Sequence, residues 1–145
     1  MSHVATIAVQ IKDLASLKKA CERVGLEFRE GQKTYKWWGR HVGDYPLPAG
    51  FTKADLGKST HALAVKGKKD AYEIGVVESR TTPGTYELLW DFYAGGKGLE
   101  AAVGKDAKKL MQAYSTEVAR KAARRAGFRV TETKVDGKVV LRCRK

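Results

Sequence analysis

The sequence predicts an α+β fold, in which an antiparallel sheet carries two helices packed on one face and a C-terminal β-hairpin closes the chain. Three observations lead to this expectation: two amphipathic helical segments, a run of short strand-like segments between them, and a hairpin signal after the second helix. The order of elements is loosely similar to that of ferredoxin-like folds. A chain of 145 residues, 43% of them hydrophobic, suits one domain with its own core, so we expect residues 1–145 to form a single domain.

The first elements are a strand and a capped helix. Hydrophobic and polar residues alternate over 4–11, which is typical of a half-buried strand. Asp13 is a favourable N-cap, apolar residues recur at helical spacing over 14–24, and Gly25 suits a left-handed C-cap. We therefore expect a helix over 14–24. The aromatic residues that follow it predict a short strand near 34–38.

The middle of the chain predicts a long loop and then a meander. Glycine and proline recur from residue 39 to 58 with little periodicity, which predicts a variable, loop-rich insertion at about 39–58. Three segments rich in β-branched and aromatic residues follow, at 61–65, 72–77 and 86–93. Turn sequences separate them, so we expect consecutive antiparallel strands.

The last third of the chain predicts a long helix and a hairpin. The helix is expected to begin near 104–106 and to end at Gly127. Its apolar arc is predicted from the helical spacing of Ala107, Leu110, Met111, Tyr114, Val118 and Ala122. Two strands, at 129–135 and 138–143, flank the Asp136-Gly137 turn, a strong hairpin signal.

Positive charge is concentrated at the C-terminal end. The net charge is +12, and residues 105–145 contribute +9 of it, with 13 of the 28 Lys and Arg residues and only 4 of the 16 Asp and Glu residues. A field of this sign attracts phosphate or an acidic protein surface. The predicted second helix would place Lys105, Lys109, Arg120 and Arg124 opposite its apolar arc, where they can contact a phosphate backbone.

The predicted hairpin extends this basic face through Arg129 and Arg142, with Arg144 and Lys145 beside them. Phosphate contacts of this kind give salt-sensitive and weakly specific binding. The alternative interpretation is that the basic residues complement the dipole at the C-terminus of the helix and only solvate an exposed face.

An aromatic and basic cluster lies before the predicted loop. Trp37 and Trp38 are followed by Arg40, a mixture that proteins use to stack and neutralise single-stranded nucleic acid. A tryptophan pair between a strand and a loop is more often part of the core and its covering loop, and we favour that interpretation.

A glycine-rich segment follows the third strand of the predicted meander. His3, Asp91, Tyr93, Gly95 and Gly96 are the residues from which a pocket could be assembled in space. The segment lacks the spacing of phosphate-binding glycine motifs, so we interpret it as a turn whose glycines permit positive φ, with Asp91 holding the loop amides. The three histidines have no spacing typical of a zinc site, and we expect no metal, no other cofactor and no catalytic residues.

The chain is expected to be soluble and cytoplasmic, or located in a plastid stroma or host cytoplasm. The first residues show no basic segment that leads into an apolar one, and no stretch approaches roughly 18 apolar residues, so we expect neither a leader sequence nor a membrane partner. The two cysteines, Cys21 and Cys143, are far apart in the sequence, which is typical of a reducing compartment.

A resemblance to a known family is carried by residues near both ends of the chain. Those near the start are Met1-Ser2-His3, Ile7, Gln10-Ile11 and Asp13-Leu14. Those in the second half are Asp91-Phe92-Tyr93, Gly95-Gly96, Leu110, Gln112-Ala113-Tyr114, Glu117, Ala123-Arg124-Arg125, Gly127-Phe128, Val130, Glu132, Asp136-Gly137 and Leu141. In these residues the chain resembles the uncharacterised family first named for a hypothetical plastid reading frame, number thirty-five. This domain of unknown function has members in cyanobacteria, other bacteria and phages.

The resemblance implies a context and no chemistry. Members of that family tend to be encoded beside an AAA-type ATPase and a very small companion protein, which implies an accessory or adaptor role. We therefore expect a small basic accessory protein without catalytic activity that binds nucleic acid through its C-terminal helix and hairpin. An adaptor for an AAA-type ATPase complex is one alternative. An enzyme with a pocket assembled around His3, Asp91 and Tyr93 is the other.

Overall fold

The computed structural model describes residues 4–39 and 47–145. The strands of the main sheet are β1 Val4–Ile11, β2 Leu26–Arg29, β3 His61–Val65, β4 Ile74–Glu78 and β5 Tyr86–Asp91. They lie in the order β1-β5-β4-β3-β2, and every neighbouring pair is antiparallel. The predicted antiparallel sheet is therefore confirmed. Its likeness to ferredoxin-like folds is limited to helices packed on such a sheet, because here β1 and β2 form the two edges.

One face of the sheet is covered by helices. Among the described residues these are α1 Leu14–Val24, α2 Leu99–Val103 and α3 Lys108–Arg125. The side chain of Asp13 caps α1, and Gly25 ends it with a φ of 78°, as predicted. The main core lies between the helices and the sheet and includes Leu17, Cys21, Leu63, Ile74, Val76, Leu88, Trp90, Leu99, Val103, Leu110 and Tyr114. The α+β class with helices on one sheet face is confirmed.

The opposite face of the sheet is covered by the described parts of the segment between β2 and β3. Tyr35 and Leu56 pack there on strand residues, and Trp37 packs against the same cluster. Gly75 of β4 allows this contact, since a Cβ atom at Gly75 would lie 2.4 Å from Cδ1 of Tyr35. The central strands β3, β4 and β5 are thus covered on both faces.

The segment between β2 and β3 departs from one of its two predictions and lies partly outside the described residues. The predicted strand near 34–38 is wrong, because Thr34 makes only an isolated bridge to Lys58 and the strand of this region is β2 instead. The alternating aromatic residues reflect an extended chain that packs Tyr35 and Trp37 onto the sheet face. Of the predicted loop at about 39–58, residues 40–46 lie outside the described residues, and residues 47–58 contain one short 3-10 turn, Lys53–Asp55.

The C-terminal hairpin is a separate two-stranded sheet. Its strands are β6 Arg129–Val135 and β7 Lys138–Arg144, joined by the predicted turn. The register places Val130 opposite Cys143 and Glu132 opposite Leu141 on the face that is partly buried. Glu132 on this face contacts Arg23 of α1 and Arg120 of α3. The hairpin is therefore anchored to both helices through its inner face.

The predicted apolar arc of the long helix is partly wrong. Leu110 and Tyr114 are buried as expected, but Val118 and Ala122 are exposed. In the second half of α3 the inward side carries Glu117, Arg120 and Lys121 instead, because polar groups of α1 and the hairpin meet the helix there. Within residues 4–39 and 47–145, no helix has both the length and the apolar character needed to cross a membrane.

Candidate nucleic-acid interface

The basic residues of α3 do not form one surface. Lys105 and Lys109 lie at the N-terminal end of the helix region and are exposed. Arg120 lies eleven residues after Lys109, which places it about 16 Å further along the helix axis. The basic residues predicted on this helix are therefore divided between its two ends.

Arg120 belongs to a charged network that fixes the hairpin. Arg23 donates from Nε to Glu117 over 2.7 Å, and its two terminal nitrogens donate to Glu132 over 2.9 and 2.6 Å. Arg120 donates to Glu132 over 3.3 Å. Hydrogen bonding from Arg23 lowers the pKa of Glu132, so this carboxylate remains charged. Two cations and two carboxylates balance in this network, and Arg120 is largely neutralised by it.

Lys121 is neutralised in the same way. Its Nζ donates to Oδ2 of Asp13 over 2.7 Å, across the junction between the C-terminal half of α3 and the start of α1. This hydrogen bond is the largest cause that lowers the pKa of Asp13 to about 2. Asp13 thus both caps α1 and holds α3 against it.

A groove of about 320 Å³ runs between α1 and α3 beside these pairs. Its charged lining consists of Lys19, Arg120, Lys121, Arg124, Arg125 and one carboxylate, Glu117. In the part of the chain that the structure describes, no carboxylate lies within ion-pairing distance of Lys19, Arg124 or Arg125. Sequence reasoning missed Lys19, because its only signal was an exposed position on α1.

The outward side of the hairpin is a second basic surface, here called the ribbon outer face. The register pairs Arg129 with Arg144, Thr131 with Arg142, Thr133 with Val140, and Val135 with Lys138. All eight side chains are exposed, four of them are basic, and none is acidic. The predicted residues Arg129 and Arg142 lie on this face, together with Arg144 and with Lys138, which was not predicted as a binding residue.

A tight turn after α3 separates the basic residues of the groove from those of the ribbon outer face by only a few residues of the chain. The amide of Gly127 donates to the carbonyl of Arg124, and that of Phe128 donates to the carbonyl of Ala123. Arg129 therefore follows Arg125 by only four residues, at the start of the ribbon. We call Lys19, Arg124, Arg125 and the four basic residues of the ribbon outer face the C-terminal basic surface.

The two tryptophans differ in their surroundings. Trp37 is partly buried against the second core cluster, and a Cβ atom at Gly57 would lie 2.6 Å from its Nε1. Trp38 has 44% of its surface exposed. Arg40, the predicted cation of this cluster, lies outside the described residues. The structure thus packs one of the two predicted stacking rings against the second core cluster and leaves the other at the surface.

Asp91 joins the tryptophan segment to the glycine-rich turn. Its buried carboxylate accepts the amide of Tyr93 over 3.0 Å and the amide of Trp38 over 3.2 Å. Gly95 and Gly96 have φ values of 68° and 62°, in agreement with a turn that needs positive φ. A Cβ atom at Gly96 would lie 2.9 Å from Cβ of Leu99. His3 lies outside the described residues, so the predicted pocket is described only in part.

Other titratable groups are held in structural contacts. Burial raises the pKa of the Cys21 thiol to about 12, so this cysteine stays protonated in the main core. Glu73 is buried and accepts hydrogen bonds from Arg29, from Gln32 and from the amide of Lys36. Among residues 4–39 and 47–145, no group of three or more His, Cys, Asp or Glu side chains is arranged to hold a metal ion.

Comparison of the chain with known proteins gives no match. No family model matches it, and neither the curated proteins nor the solved structures contain a significant match. The resemblance to the plastid reading-frame family therefore stays a prediction.

Proposed function

We propose that this protein is a small accessory protein, without catalytic activity, that binds nucleic acid through the C-terminal basic surface. The ribbon outer face is the observation that carries this proposal. It presents four exposed cations and no carboxylate, whereas Arg120 and Lys121 of the neighbouring helix are paired with acidic residues. A surface that keeps its cations unpaired and exposed is complementary to a phosphate backbone.

The number of cations sets the expected salt dependence. If four cations of the C-terminal basic surface each neutralise one phosphate of a duplex, the slope of log K against log salt is about −3.6. Affinity then falls about 150-fold between 50 and 200 mM salt. Each further cation of this surface that contacts a phosphate makes the slope steeper.

The experiment is a fluorescence anisotropy titration of labelled DNA and RNA at these two salt concentrations. The test variant combines Arg142→Glu with Arg144→Glu on the ribbon outer face. The matched control combines Lys105→Glu with Lys109→Glu, which makes the same change in net charge at the other end of α3. Circular dichroism and thermal unfolding establish that both variants are folded.

We expect the ribbon variant to lose binding and the control variant to bind nearly as well as the unmodified protein. Equal losses in the two variants would show that only net charge matters and would contradict the assignment of the surface. Affinity that does not change with salt, or no binding at 50 mM salt, would overturn the proposal.

A second candidate function is that of an adaptor for an AAA-type ATPase complex. The observation that favours it is the pair of exposed aromatic residues beside the glycine-rich turn, Trp38 and Tyr93, with 44% and 43% of their surfaces exposed. Both are fixed by backbone hydrogen bonds to Asp91. Exposed aromatic rings on a fixed backbone are typical of protein interfaces.

The adaptor function is tested by affinity capture with the unmodified protein and with a Trp38→Ser and Tyr93→Ser variant. We expect the unmodified protein to retain an AAA-type ATPase and the variant to lose it while binding nucleic acid normally. Capture of the same ATPase by both proteins would place the interface elsewhere.

A further inference from the structure

The shape of the ribbon indicates which nucleic acid it fits. We propose that the ribbon outer face enters the major groove of duplex DNA, so that the ligand of the C-terminal basic surface is B-form duplex. This inference rests on the proposed nucleic-acid binding, and it names the ligand of that surface.

The dimensions of the hairpin agree with those of the groove. Each strand has seven residues, which gives a ribbon about 23 Å long. In the described part of the chain β6 and β7 pair only with each other, so the ribbon is two strands wide. The major groove of B-form DNA is about 12 Å wide and about 8.5 Å deep, and it admits a two-stranded ribbon.

The ribbon is held in place before any ligand arrives. Both oxygens of Glu132 accept hydrogen bonds from Arg23, and Arg120 contacts the same carboxylate. Val130 and Leu141, also on the inner face, are partly buried. A surface that is already ordered loses less conformational entropy on binding, which favours insertion as a rigid body.

The side chains in the middle of the ribbon outer face are suited to contact base edges, and those at the end beside α3 are suited to contact phosphates. Arg142 lies opposite Thr131 in the middle of the ribbon, with Val140 opposite Thr133 next to them. An arginine fork matches the two acceptors of guanine, and threonine and valine methyl groups suit the thymine methyl group. Arg129 and Arg144 lie together at one end, beside the end of α3.

Two exposed valines favour insertion of the ribbon outer face into the groove over permanent exposure of that face to water. Val135 has 54% and Val140 has 38% of its surface exposed, and both lie on the ribbon outer face. In solution these apolar groups contact water, whereas within the groove they contact bases and methyl groups.

Other nucleic acids fit this face less well. The major groove of A-form RNA is deep and narrow, so side chains on a ribbon do not reach its base edges. Single strands are bound by stacking on aromatic rings, and the eight residues of the ribbon outer face include no aromatic side chain. Duplex DNA is therefore the ligand that geometry and chemistry both favour.

The test compares a labelled 20-base-pair DNA duplex with an RNA duplex of the same sequence and with single-stranded DNA. We expect the full-length protein to bind the DNA duplex at least about tenfold more tightly than either alternative, because only its major groove admits the ribbon. We also expect the major-groove ligand methyl green to compete for the DNA duplex, and the minor-groove ligand netropsin to compete weakly.

Each alternative result has a distinct meaning. Equal binding to the three nucleic acids, or competition by netropsin alone, would overturn the major-groove inference and leave the proposed function standing. Preference for single strands would do the same and would direct attention to Trp38. Absence of binding to all three at low salt would overturn both the inference and the proposed function.

Discussion

Replacing Arg23 by methionine tests how the hairpin is attached to the body of the protein. Arg23 links α1 to α3 through Glu117 and to the hairpin through Glu132. Methionine retains much of the apolar stem and removes the guanidinium. The substitution therefore removes three hydrogen bonds with little loss of packing.

The main cost is the carboxylate that loses its partner. The side chain of Glu117 is only 10% exposed, and Arg23 is its ion-pair partner among the described residues. An unpaired acceptor in such a position costs about 1–3 kcal/mol, and more when it is charged. Loss of the bonds to Glu132 adds about 0.5–1 kcal/mol, because Arg120 still contacts that carboxylate. We expect a total loss of about 3 kcal/mol in the free energy of unfolding.

Urea and thermal unfolding at pH 7 measure this loss. For a domain of this size, about 3 kcal/mol lowers Tm by about 6–12 °C. The matched control is Arg125→Met, which removes an arginine from the neighbouring helix α3. Among the described residues, Arg125 has no carboxylate within ion-pairing distance. We expect that control to change stability by less than about 0.5 kcal/mol.

A second variant separates the two contributions. Adding Glu117→Gln to Arg23→Met removes the stranded charge and should recover about half of the lost stability. A loss below about 0.5 kcal/mol for Arg23→Met, or no recovery in the double variant, would refute the argument that the buried carboxylate sets the cost.

Three further predictions concern stability. Gly75→Ala should cost about 1–3 kcal/mol in urea unfolding, because the new Cβ lies 2.4 Å from the Tyr35 ring, and Tyr35→Leu should reduce that cost. Asp13→Asn should cost about 1 kcal/mol at pH 7, because it removes the negative charge at the N-terminus of α1 and the ion pair with Lys121, while asparagine can still cap the helix. Because the folded pKa of Asp13 is lowered to about 2 from 3.8, this difference should be present above pH 4 and disappear as the pH falls through 2. Burial lowers the pKa of His61 from 6.5, so the folded protein favours the neutral imidazole. The contribution of His61 to the free energy of unfolding should therefore be complete above pH 6.5 and decrease as the pH falls below that value. Unfolding curves of wild type and His61→Gln between pH 5 and 8 measure it.

Each of these predictions has a result that contradicts it. Equal stability of the Gly75→Ala protein and the wild type would mean that Tyr35 moves away without cost. A difference between wild type and Asp13→Asn that persists at pH 2 would exclude the lowered pKa as its source. A parallel decline of wild type and His61→Gln below pH 6.5 would assign the pH effect to other groups.

Several local features were predictable from the sequence because they depend on near neighbours. The helix Leu14–Val24 is defined by the cap Asp13, by apolar spacing and by Gly25, all within one short segment. The hairpin is defined by alternation on both sides of Asp136-Gly137. The concentration of positive charge after residue 105 is a property of composition alone.

The covering of the second sheet face was not predictable in the same way. Tyr35 and Trp37 alternate as they would in a strand, but an extended segment that lies across a sheet has the same pattern. Hydrogen-bond partners distinguish the two arrangements, and those partners are distant in the sequence. Gly75 makes room for the Tyr35 ring, and the need for a glycine there can be recognised only when the contact between the two residues is known.

The sequence by itself determined that this protein has an α+β fold with a strongly basic C-terminal end. Only the tertiary structure decided which of its basic residues are available to a ligand. Arg120 is paired with Glu132, and Lys121 is paired with Asp13, which lies 108 residues away in the sequence. Arg142 and Arg144, in contrast, face solvent on the outer side of the ribbon. The physical reason is that net charge is additive along a chain, but the neutralisation of a charge depends on distances of a few ångströms that folding alone establishes.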